Sequence, residues 1–170
     1  MAESILDGLK ARRRAAHEQI KNRSLDLELP SYSGELVVRY RPPEWEDAQP
    51  RVERFLTLER EERIDAACDL MIACCDMVLI RVDGELRPLH EVVTEGGGDV
   101  SDYDRPVRFD ERLARAVGVE IPAIPAEPGQ PGPARLVVLK VVDDKYGIAG
   151  QGAALANWLT GLLGTADQDF

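Results

Sequence analysis

Asp65-Ala-Ala-Cys-Asp-Leu-Met-Ile-Ala-Cys-Cys-Asp-Met-Val-Leu-Ile-Arg-Val-Asp-Gly-Glu-Leu-Arg-Pro-Leu89 changes its period partway along, and that change decides the fold. From Ile64, just before it, Cys68, Met71, Ile72, Cys75 and Leu79 continue an i, i+4, i+7 apolar stripe, with Asp65, Asp69 and Asp76 on other faces. This predicts a helix over 59–77. Thr57 is placed to cap it, and Glu59, Glu61 and Glu62 stand where the helix dipole favours anions. Val78–Val82 is then β-prone, and Asp83-Gly84 directly after it signals a type I′ hairpin turn. The return strand is Glu85–Leu89, which Pro88 restricts to a sheet edge because proline has no N–H to donate.

Upstream, Ser4 begins a capping-box-like start, and Ile5, Leu9, Ala16 and Ile20 fall near one face of a helix predicted over 4–22, with arginines opposite. Leu25-Asp-Leu-Glu-Leu29 alternates strictly, the period of a half-buried strand. Pro30–Gly34 has turn composition, and Leu36, Val38 and Tyr40 alternate in a second strand that Pro42 and Pro43 terminate. Across this hairpin Asp26 and Glu28 are expected to meet Arg39 and Arg41. Ala48, Val52, Phe55 and Leu56 are spaced for a short helix.

Downstream, Gly96–Asp99 reads as a loop and Phe109–Val117 as an amphipathic helix with Gly118 placed to cap it. Pro122, Pro125, Pro128, Pro131 and Pro133, with Gly129 and Gly132, make an extended linker. Ala134–Val142 is apolar and fits either strand or helix. Lys145–Leu163 reads as a helix. The expected fold class is α+β, mainly helical with two small β-hairpins. The expected organisation is an N-terminal domain over 1–121, a linker over 122–133 and a C-terminal helical segment over 134–170 that either docks or swings.

The net charge of −10 and pI near 4.7 oppose binding to nucleic acid. The basic cluster Lys10, Arg12, Arg13, Arg14, Lys21 and Arg23 reads as a solvated helix face, and it leaves the remainder more acidic than the total. Such asymmetry favours a protein partner of complementary charge. Three cysteines within Cys68–Cys75 are odd in number and clustered, so they are not a disulfide framework, and a reducing cytoplasm is expected. Met1–Arg14 places its charges after its apolar residues and is not expected to be a signal peptide. No apolar run approaches the ~20 residues of a membrane span.

No stretch carries a recognisable reaction. Cys74 and Cys75 are adjacent, so a helix points them about 100° apart, unlike the ligands of a zinc site. Neither His17 nor His90 has a context that points at a cysteine. Gly147-x-x-Gly150-x-Gly152 does not keep the order of a dinucleotide loop, which Gly150-Gln-Gly152-Ala-Ala-Leu155 breaks at Leu155, and reads as small residues allowing close helix packing. Asp143-Asp144 reads as a helix start or solvated turn. The expectation is no catalytic residue, no cofactor and no metal site.

Four stretches stand together in order: Leu36-Val-Val-Arg-Tyr-Arg-Pro-Pro43 after a short acidic strand, the Asp65–Leu89 stretch, Val107-Arg-Phe-Asp-Glu-Arg-Leu-Ala-Arg-Ala-Val-Gly118, and a closing segment Leu136–Leu159 ending near Trp158. Over 25–163 this order resembles the tail assembly chaperones of long-tailed (siphovirus-type) bacteriophages and prophages of high-GC Gram-positive bacteria. The resemblance implies a non-enzymatic escort in the host bacterial cytoplasm. Such an escort binds the helical, apolar tape measure protein, helps tail tube protein polymerise around it and leaves the finished tail. It also implies a longer product made by frameshifting, with which the polar end 164–170 is compatible as the shorter one. The expected partners are the tape measure and tail tube proteins, with homo-oligomerisation left open and neither nucleic acid nor membrane involved. The partner-binding residues expected are Ile5, Leu9 and Ile20 of the first helix and Leu155, Trp158, Leu159 and Leu162 of the last. Ordinary core packing is the alternative for each. The competing function is a structural virion component, a head–tail connector or tail terminator.

Overall fold

A strand buried at four of its five residues, Leu36–Tyr40 (β2), is the centre of the fold. The computed structural model describes residues 2–97, 102–121 and 132–168. β2 pairs antiparallel with Leu25–Glu28 (β1) on one side and with Cys75–Val82 (β3) on the other, and β3 pairs in turn with Glu85–Pro88 (β4). The two hairpins anticipated from sequence are therefore halves of one four-stranded sheet in the order β1-β2-β3-β4. Burial explains why they join. Leu36, Val38 and Tyr40 lie on one face of β2 and Val37 on the other, and all are at most 4% exposed, so a free edge would leave their backbone unpaired in the core.

Register places Asp26 opposite Arg39, and the guanidinium binds both carboxylate oxygens at 2.9 and 3.1 Å. The second anticipated pair does not form. Glu28 faces Val37, and Arg41 reaches Asp76 of β3 at 3.1 Å. The Asp83-Gly84 turn has φ of 51° and 82°, the double positive φ of a type I′ hairpin.

Seven helices accompany the sheet among the described residues: Ala2–Lys21 (α1), Trp45–Thr57 (α2), Arg60–Cys74 (α3), Leu89–Glu95 (α4), Glu111–Ala116 (α5), Pro133–Val142 (α6) and Lys145–Gln168 (α7). The fold class is α+β and mainly helical. α3 stops three residues before the predicted end because Cys75 and Met77 pair with Tyr40 and Arg39, and Arg41 N–H donates to Cys74 O at 2.7 Å. Pairing with a distant strand overrides the local helical period there. Thr57 does not cap α3. It ends α2, its Oγ1 donating to Glu53 O and Arg54 O, and Glu59 occupies the cap position with extended backbone. β4 ends at Pro88, and Leu89, expected within it, opens α4. α5 is shorter than its sequence pattern and is capped by Asp110, whose carboxylate accepts from Arg112 N–H and Leu113 N–H. Ala134–Val142, open between strand and helix, is helical.

The C-terminal helices are docked on the body. Val137, Val138, Val141 and Val142 of α6 and Ile148, Leu155, Ala156 and Leu159 of α7 belong to the same buried cluster as Tyr40, Phe55, Leu70 and Met71. α3 lies at the middle of this cluster, with Ala66, Ala67, Cys68, Leu70, Met71 and Cys74 all buried. Asp69 of α3 binds Arg54 of α2 and, at 2.7 Å, Arg135 of α6. Tyr40 OH donates to Gln151 Oε1 at 2.9 Å, while Gln151 Nε2 donates to Glu28 O at 2.8 Å, so the buried Gln151 side chain of α7 is hydrogen-bonded to the sheet. Residues 122–131 of the expected linker lie outside the described residues, as do 98–101.

Candidate functional site

α1 is amphipathic, but the body covers only part of its apolar stripe. Ile20 and Ala16 are half-buried, and α1 touches α7. Towards the N-terminus the stripe runs on uncovered: Ile5, Leu6 and Leu9 are 66%, 55% and 45% exposed. The other large exposed apolar residues among those described, Leu56 and Tyr146, stand singly on α2 and α7. Scattered exposed apolar residues are ordinary, whereas three within five positions of one helix form a patch.

Beside this patch, between α1 and the body, lies an open groove of about 410 Å³. One wall is α1 itself, with Lys10, Arg13 and Arg14 at i, i+3 and i+4 and Glu18 one turn further. The opposite wall is Pro42 and Pro43, which end β2 and lead into α2, together with Ala48. Leu159 and Leu162 of α7, with Ile20, complete the apolar lining. At the far end Lys21 Nζ binds Glu44 at 2.7 Å and ties the end of α1 to the start of α2. From Lys10 to Lys21 the groove runs along about 16 Å of helix at 1.5 Å per residue, roughly three turns.

The structure separates the residues expected to meet a partner. Ile5 and Leu9 are exposed on α1, and Ile20 and Leu162 are half-buried in the groove lining. Leu155 and Leu159 are 0% and 1% exposed and belong to the core, with Leu159 reaching the groove only at its floor. Trp158 is half-buried and packs against the core. For Leu155 and Leu159 ordinary core packing is thus what the fold uses. Leu6, Pro42, Pro43 and Ala48 were not anticipated in this role. Leu6 lies beside the stripe at i+1 from Ile5, which helical spacing alone flags weakly.

The cysteines and the Asp143-Asp144 pair have structural positions, while His90 Nδ1 is buried without a hydrogen-bond partner among the described residues. Cys68, Cys74 and Cys75 are free thiols buried in the core, and burial pushes their pKa values up to about 11, 12 and 12. A thiol held protonated is a poor nucleophile and a poor ligand. Asp143 is a left-handed cap of α6 at φ 46°, and Asp144 accepts from Gly147 N–H at 3.1 Å at the start of α7. Among the described residues no group of three His, Cys, Asp or Glu side chains is placed to hold a metal ion, and no helix is long and apolar enough to cross a membrane. The side chain of His17 lies outside the described residues. No protein-family profile, curated protein or solved structure matches the chain.

Proposed function

We propose that this chain is a phage tail assembly chaperone that binds an apolar helical segment of the tape measure protein on α1 and in the adjoining groove, and so assists tube assembly. The observation that carries the reading is the patch Ile5, Leu6 and Leu9, left uncovered by the body on the helix whose next turns wall a groove with an apolar floor. An apolar groove rimmed by charge receives the apolar face of an amphipathic helix while keeping the receptor soluble. The net charge of −10 opposes self-association of the resulting complex. The order of elements that resembles this chaperone family supplies the partner's identity.

Co-expression with the tape measure protein of the same tail gene cluster is the test. The wild-type chain is expected to keep that protein soluble and to co-purify with it. Ile5→Asp combined with Leu9→Asp is expected to abolish capture, with at least a ~100-fold loss of affinity, since each buried aliphatic side chain contributes about 1.5–3 kcal/mol. Both positions are exposed, so the circular dichroism spectrum should not change. Absence of capture by the wild type, together with recovery of the chain in purified tails, would make a structural virion component the better answer.

A further inference from the structure

We infer that the groove selects its occupant by charge as well as by apolar fit: the helix it receives carries acidic residues along the edge that faces α1. This rests on the helix-receptor reading above and adds the chemistry of the partner segment. α1 holds five basic residues against three acidic ones, Glu3, Asp7 and Glu18, so the other 150 residues hold 16 basic against 28 acidic. The positive charge of an otherwise acidic protein is thus gathered on the helix that walls the groove. Lys10 and Arg14 line it one turn apart, and lysine and arginine lay aliphatic stems along apolar surface while keeping the charged head in water. Acidic side chains on a helix seated on that floor would meet those heads.

Two other occupants fit less well. A second copy of this chain would have to offer an exposed apolar helical face, and among the described residues only α1 has one, with three apolar residues within five positions. Seating α1 against α1 brings Lys10–Arg14 of both copies together, and like charges at close range are unfavourable. A nucleic acid would meet the basic wall, but its phosphates would find no match in the apolar floor of Ile20, Leu159 and Leu162.

Two stapled helical peptides of about 14 residues, four turns each, with the same leucine stripe but with either glutamate or lysine along both flanks, test this by fluorescence anisotropy with the full chain. The glutamate-flanked helix is expected to bind at least about tenfold more tightly at ~50 mM salt, with the ratio shrinking towards one at ~1 M as screening sets in. Lys10→Glu with Arg14→Glu is expected to reverse the preference. Equal binding of both peptides would leave the groove an apolar-helix receptor and overturn the charge selection. Binding of neither would overturn both readings. A dimer in sedimentation that the peptide dissociates would assign the groove to a second copy, and displacement of the peptide by a short single-stranded DNA would assign it to nucleic acid. Either result overturns the inference.

Discussion

Leu155→Ala is expected to destabilise the folded chain by about 2–5 kcal/mol, the range for truncating a fully buried leucine whose surroundings close only in part. Leu155 is 0% exposed, and it lies one turn of α7 before Leu159, which is equally buried, in the cluster that α7 shares with α3 and α2. Typical domains are stable by about 5–15 kcal/mol, so the loss is a large fraction of the whole. In urea the midpoint should fall with little change in slope, since the same surface is exposed on unfolding. Leu9→Ala on the exposed stripe should shift stability by no more than about 0.5 kcal/mol. Sequence spacing names both Leu155 and Leu9 as partner contacts, with core packing as the alternative. The fold separates them, and the two substitutions measure that separation.

Gly152→Ala is expected to destabilise by about 1–3 kcal/mol, while Gly150→Ala, two residues away in the same helix, should stabilise by about 0.5–1 kcal/mol. A methyl on Gly152 would stand 2.6 Å from Ala67 Cβ, 2.8 Å from Phe55 Cε2 and 3.1 Å from Ala67 Cα, so α7 would have to move off α3. The neighbour on α3 is partly backbone and does not yield by rotating a side chain. At Gly150 a methyl meets nothing within 4 Å and only the helical preference of alanine over glycine remains. Thermal melts of the two variants should therefore move in opposite directions. The same sign for both would mean that α7 and α3 are not in the close contact described.

How much of this was legible depends on the range of the signal. The change of period at Asp65–Leu89 carried the α+β class because helix and strand periodicities are local, and the Asp83-Gly84 turn is set by two residues alone. Which strands become neighbours is not local. β2 and β3 are joined by pairing Leu36 with Ile80 and Tyr40 with Cys75, and that contact also took Cys75–Met77 away from α3. α4 escaped notice because seven residues containing Val92, Val93 and Thr94 give no helical pattern. At the site, the stripe of Ile5, Leu9 and Ile20 was readable, since it needs only the helical repeat. The groove was not, because Pro42 and Pro43 announce the end of a strand and say nothing about the helix that comes to lie beside them. Apolar spacing on α7 was equally consistent with core and interface; only burial distinguishes Leu155 from Leu9.

The central claim, that α1 and its groove are where a partner helix sits, is tested most directly by photo-crosslinking in cells. A benzophenone amino acid would replace Leu9 on the stripe or Tyr146, which at 92% exposed is the most accessible large apolar residue described and stands on α7. Co-expressed with the tape measure protein, the chain is predicted to crosslink to it from position 9 and not from position 146. Crosslinks from position 146 with none from position 9 would place the partner elsewhere on the protein and contradict the account.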